Sequence, residues 1–124
     1  MRERVSRITS SALIASGRRF AFSGLEEYYW RWFVFGHLRQ FVSARTAVLV
    51  SSAAFTAHHA IVVGSEFRGA WGMTVFACAG VALGGAVWAR LYERSGSLVG
   101  PWLSHALVDA ALMMVGYELL WPLR

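Results

Sequence analysis

An all-α fold, a polytopic bundle of about four transmembrane helices, is what this sequence predicts, and three observations predict it. Apolar and aromatic residues make up 56% of the 124 residues, and only 15% are charged. A soluble domain carries about 25% charged residues, and one this small has too little interior to hide so much apolar surface. The apolar residues also gather into four long segments, each close to the ~20 residues a helix needs to cross a bilayer. None alternates apolar and polar residues with period two, which argues against strands.

The segments cover about 20–42, 46–64, 69–91 and 98–120, divided by RQFVSAR, SEFRG and ERSGS, whose Arg, Ser and Gly suit loops. Residues 1–19 are basic, serine-bearing and weakly apolar. Their apolar stretch is too broken for a signal peptide, so they read as an interfacial amphipathic helix or a loose leader. The expected organisation is a leader over 1–19 and one membrane domain over 20–124. The third segment is rich in Gly and Ala, and Gly80 and Gly84 have the spacing that lets helices approach closely in lipid. Trp71, Trp88, Tyr92, Trp102, Tyr117 and Trp121 fall near segment ends, as an aromatic belt requires. The lone cysteine, Cys78, forms no intrachain disulfide.

The formal net charge is +5, and all twelve basic residues are arginines. They are scattered along the edges of apolar runs, whereas a single-strand binder needs a basic groove with stacking aromatics. No nucleic-acid partner is expected; the lipid bilayer is. Alternating spans put Arg2, Arg4, Arg7, Arg18, Arg19, Arg68 and Arg124 on one side and Arg39, Arg45, Arg90 and Arg94 on the other. That excess places the N-terminus in the cytoplasm.

The informative residues are acids inside apolar segments. Three of the seven, Glu26, Glu27 and Asp109, lie within expected spans, where a charge costs about 2.5–3.5 kcal/mol on insertion scales. Glu27 and Arg31 stand four apart, acid first, and share a helix face. Glu26 points about 100° away from that pair. His59 follows Phe55 by four residues, and His105 precedes Asp109 by four. At 1.5 Å per residue, Glu26 and His59 lie roughly 8–9 Å from one membrane face and Asp109 roughly 14 Å. These depths allow one shared cluster.

Several chemistries remain open on the residues alone. Glu26, His59, His105 and Asp109 hold enough nitrogen and oxygen ligands for zinc, and buried carboxylates also serve proton relays in small transporters. His59 by itself reads equally well as a packing histidine. His58 reads as packing or interface material, and His37, Met113 and Met114 carry no motif.

Three motifs together resemble one family. EEYYWR at 26–31 matches Glu-Glu-x-x-x-Arg, FTAHH at 55–59 matches Phe-x-x-x-His, and HALVD at 105–109 matches His-x-x-x-Asn/Asp. The stretch 80–106, with its Tyr-x-x-x-Gly-Ser-Leu turn, is similar as well. The chain thus resembles the CAAX-protease and bacteriocin-processing (CPBP, Abi) family of glutamic-type intramembrane proteases over about 20–120. The resemblance implies an endopeptidase of the bacterial cytoplasmic membrane. Glu26 would activate water, His59 would hold it, and His105 and Asp109 would stabilise the oxyanion, with Glu27 and Arg31 a structural pair. Its substrates would be membrane peptides or lipidated or leader-bearing proteins. No cofactor is expected; a zinc-dependent variant would use Glu26, His59 and His105. Nothing in the sequence fixes an oligomeric state.

The chain departs from the family pattern in two ways. Position 109 is Asp where many members have Asn, and many members carry further helices before the first motif. A minimal member, a truncated product or half of an assembly would each account for the length. A non-catalytic immunity or scaffold protein of the same fold is the main alternative.

Overall fold

The computed structural model describes residues 2–120, with side chains from 13 to 118 except 16. Trp121 and Arg124, and the side chains of Arg2, Glu3, Arg4 and Arg7, lie outside the described residues. Among those described, the chain is helical throughout apart from its turns. The order is α1 (Arg2–Glu27), a π-helix (Tyr28–Phe35), a short α2 (Gly36–Leu38), α3 (Ala44–Phe67), α4 (Trp71–Ser95) and α5 (Val99–Leu120). α1, the π-helix and α2 run on without a break, so no interruption marks the expected boundary between residues 19 and 20.

Local sequence accounts for the turns. The Ser43 hydroxyl accepts from the Thr46 N–H at 3.2 Å and caps α3. Gly96 ends α4 with a φ of 64°, and its N–H donates to the Tyr92 carbonyl at 2.8 Å, a left-handed stop that glycine adopts without a Cβ penalty. Pro101 falls in the first turn of α5, where no helical donor is lost.

α3, α4 and α5 are long and apolar enough to cross a membrane, yet only 28%, 17% and 11% of their apolar windows is buried inside the protein. The remaining apolar surface, including Leu49, Ile61, Phe76, Leu83, Leu107 and Leu112, faces outward. In water that surface would be untenable; in lipid it is the surface a membrane protein needs. The protein is an integral membrane protein. The expected first span forms the later part of the α1–π–α2 rod, whose charges set it apart from the other three.

The buried core is small. Phe35, Ala47, Val48 and Ala89 form it, flanked by Leu38, Val42, Ala86 and Tyr92. Arg39 clamps its rim: Nε lies 3.0 Å from both carboxylate oxygens of Glu93, and Nη1 donates to the Val42 carbonyl at 3.0 Å. α3 and α4 pack through Gly85, where a Cβ would meet Phe55 Cδ1 at 3.1 Å. The expected pair behaves otherwise. Gly80 has nothing within 4 Å, and Gly84 faces only Trp88 of its own helix. At the other end, Trp102 of α5 reaches α1, donating from Nε1 to the Phe20 carbonyl at 3.0 Å and lying close over Gly24.

Candidate functional site

The π-helix explains how one rod delivers two adjacent acids to the same centre. Ser23, Glu27, Arg31 and Phe35 recur every four residues and are 0%, 0%, 2% and 1% exposed. In α geometry such a line drifts around the helix by about 40° per step. A π-helix has about 4.4 residues per turn because its hydrogen bonds span five residues, so there the drift reverses. The Gly36 N–H donates to the Arg31 carbonyl, five residues back. The switch keeps Glu27, Arg31 and Phe35 directed at α3 and α4, while Glu26 faces the neighbouring sector.

Glu27 and Arg31 form the floor. Arg31 Nε lies 3.1 Å from Glu27 Oε2, and Arg31 Nη2 donates to the Gly85 carbonyl at 3.3 Å. The guanidinium carbon sits 4.5 Å from the Phe55 ring centroid and 5.2 Å from that of Trp88. Aromatic faces thus stabilise the cation where water is absent. Glu27 Oε1 takes the third partner, His105 Nδ1, at 2.7 Å.

These bonds fix the histidine tautomers. A carboxylate oxygen accepts only, so Nδ1 of His105 carries the proton and Nε2 faces inward. His59 is held alike: its Nδ1 donates to the Phe55 carbonyl at 3.0 Å. Glu26 lies between the two free edges, with Oε1 3.5 Å from His59 Nε2 and Oε2 3.6 Å from His105 Nε2. Asp109 Oδ1 stands 3.8 Å from the same His105 nitrogen.

All six residues singled out in the sequence, Glu26, Glu27, Arg31, His59, His105 and Asp109, therefore meet in one cluster. Three participants carried no signal there. Trp88 stacks on His105 with centroids 4.0 Å apart and planes at 18°, and Gly85 supplies the carbonyl that receives Arg31. His58, expected to be packing material, is exposed beside Glu26. A groove of about 460 Å³ opens onto Glu26 between Phe22, Leu25, Tyr29, Trp30 and His58. Around Glu26 the tightest group of potential ligands is Glu26, His58 and His59, with one ligand atom of each within 4.8 Å of the others. His37 bonds its own helix at Phe33 and stays outside the cluster.

Fold and cluster together define a polytopic helical membrane protein with a carboxylate–histidine centre facing a lipid-level groove. The particular family follows from comparison with known proteins: the chain matches the model of type II CAAX prenyl endopeptidase Rce1-like proteins over residues 9–111. It belongs to that Rce1-like family, a family of membrane peptidases acting on membrane-embedded peptide substrates. No curated protein and no solved structure matches the chain.

Proposed function

We propose that this protein is an intramembrane endopeptidase that cleaves a membrane-anchored or lipidated peptide with Glu26 as its general base. The observation that supports this most is the placing of the Glu26 carboxylate between two inward-facing imidazole nitrogens, at 3.5 and 3.6 Å, at the mouth of a groove. Those separations leave room for a water that Glu26 and His59 hold together.

In this reading Glu26 takes a proton from that water while the water oxygen bonds to the scissile carbonyl carbon. The carbonyl oxygen becomes an oxyanion and needs a donor. His105 supplies one from Nε2 when both its nitrogens are protonated, because the Glu27 carboxylate stabilises the imidazolium through Nδ1. Asp109 orients that ring from the far side. As the tetrahedral intermediate collapses, Glu26 passes its proton to the leaving nitrogen and the C–N bond breaks. Glu27 and Arg31 hold the frame and take no proton. No cofactor enters this scheme. The N-terminus faces the cytoplasm of a bacterial cell in the same reading.

The test compares the chain with its Glu26→Gln variant, matched in helix content by circular dichroism. Both are reconstituted with a farnesylated peptide ending in a CAAX sequence and, separately, expressed in bacterial membranes whose new peptide ends are read by mass spectrometry. Cleavage by the original chain alone supports the reading. Identical profiles overturn the role of Glu26, and cleavage abolished by chelator and restored by zinc replaces this scheme with a metal-dependent one.

A further inference from the structure

The groove mouth carries a second arrangement that the hydrolytic scheme leaves unused. His58 and His59 are consecutive on α3, with ring centroids 5.3 Å apart and planes at 84°. Consecutive residues diverge by about 100° around a helix, so two histidines serve one point only when a third ligand lies in the sector between them. Glu26 of α1 occupies that sector. One ligand atom each of Glu26, His58 and His59 lies within 4.8 Å of the other two, and Glu26 Oε1 is 3.5 Å from His59 Nε2. Bonds of about 2.0–2.1 Å to a tetrahedral zinc set ligand atoms about 3.3–3.4 Å apart. Glu26 and His59 already meet that spacing, and His58, being exposed, can swing in by side-chain rotation.

We infer that Glu26, His58 and His59 form a binding site for a divalent transition-metal ion of the zinc type, with its fourth position open to the groove. The Nδ1–H of His59 donates to the Phe55 carbonyl at 3.0 Å, the support a metal-binding imidazole normally has on its other nitrogen. Imidazole and carboxylate without thiolate suit zinc and its neighbours in the first transition row. His105 is not a member. It is buried against Glu27 and faces the opposite oxygen of Glu26, so this site lies at the mouth and not in the floor. Binding here is independent of the proposed hydrolysis, although a cation on Glu26 would take from that reaction its base.

The test is a binding measurement on the whole chain in phosphatidylcholine nanodiscs, without substrate. Zinc is titrated calorimetrically, and cobalt(II) serves as a second probe because its visible absorption intensifies in a tetrahedral site. One ion per chain is expected, with affinity at least about tenfold weaker in both His58→Ala and Glu26→Gln and unchanged in His37→Ala, a histidine outside the cluster. Equal helix content of the variants excludes unfolding as the cause. Zinc uptake no greater than that of empty nanodiscs overturns the site. So does a His58→Ala variant that binds as tightly as the original while His105→Ala does not, since the ion would then sit in the floor. Peptide cleavage is read separately, so failure here leaves the peptidase reading standing, and the reverse.

Discussion

Glu27 Oε1 lies 2.7 Å from His105 Nδ1, joining the start of the π-helix to the middle of α5. The same carboxylate holds Arg31 at 3.1 Å, so one fully buried acid sets the position of a cation and of an imidazole. Replacing it by glutamine preserves shape and removes charge, leaving Arg31 buried without its anion. Interhelical hydrogen bonds in bilayers average about 0.6 kcal/mol, but an orphaned buried charge costs about 3–5 kcal/mol. The second figure sets the scale, and Glu27→Gln is expected to unfold far more readily in an SDS titration of mixed micelles. The double variant Glu27→Gln/Arg31→Met should recover much of that loss. A single variant as stable as the original would show that the pair does not hold the bundle.

Asp109 offers a sharper separation of roles. Its Oδ1 is 3.8 Å from His105 Nε2, close enough to orient the ring. An ionised Asp cannot donate to an oxyanion, whereas an asparagine amide can. Asp109→Asn is therefore expected to keep or raise kcat, and Asp109→Leu to lower it about a hundredfold or more with little change in KM. Steady-state cleavage of one peptide by the two variants decides. An Asn variant as impaired as the Leu variant would mean that the negative charge is what the reaction requires.

How much of this could be read in the sequence follows from where the information lies. Glu26, Glu27, Arg31, His59, His105 and Asp109 stand out because a charge or imidazole in an apolar span has a cost that a local window reveals. The four-residue spacings then give each pair its shared face. The π-helix left no such trace, since its period depends on the neighbours that Arg31 and Phe35 meet and not on the run YYWRWFVF itself. Gly85 was passed over for Gly80 and Gly84, because spacing identifies a small-residue stripe but not the side of it facing another helix. Trp88 looked like a membrane-belt residue, and only the placing of α4 against α5 brings it onto His105.

The glycines yield a paired prediction. A Cβ at Gly85 would sit 3.1 Å from Phe55 Cδ1 and 3.5 Å from the Ser52 Cα, while one at Gly80 would meet nothing within 4 Å. Overpacking of this kind costs about 1–3 kcal/mol. Gly85→Ala should destabilise the protein by that order and, by pushing α3 from α4, displace Phe55 and the His59 bonded to its carbonyl. Gly80→Ala should be neutral or slightly stabilising through helix propensity. Unfolding midpoints in mixed micelles test both, and equal shifts in the two variants would refute the assignment of Gly85 as the packing contact.

Trp88 is the residue whose replacement separates packing from positioning. Its ring stacks on His105 at 4.0 Å and lies 5.2 Å from the Arg31 guanidinium carbon, so it covers both partners of Glu27. It is 6% exposed, and truncating a buried Trp to Ala costs about 3–5 kcal/mol. Trp88→Ala should therefore lose stability and activity together. Trp88→Phe keeps a flat face against the imidazole with a smaller loss of volume. If the face positions His105, the Phe variant should hold kcat within about a factor of ten while still losing stability. Trp88→Leu, apolar but not flat, should then lose kcat at comparable stability. The informative readouts are the kcat ratio of the Phe and Leu variants and the His105 ring chemical shifts, which lose the ring-current contribution of an aromatic neighbour only in Leu. Equal kcat in Phe and Leu would reduce Trp88 to filling space.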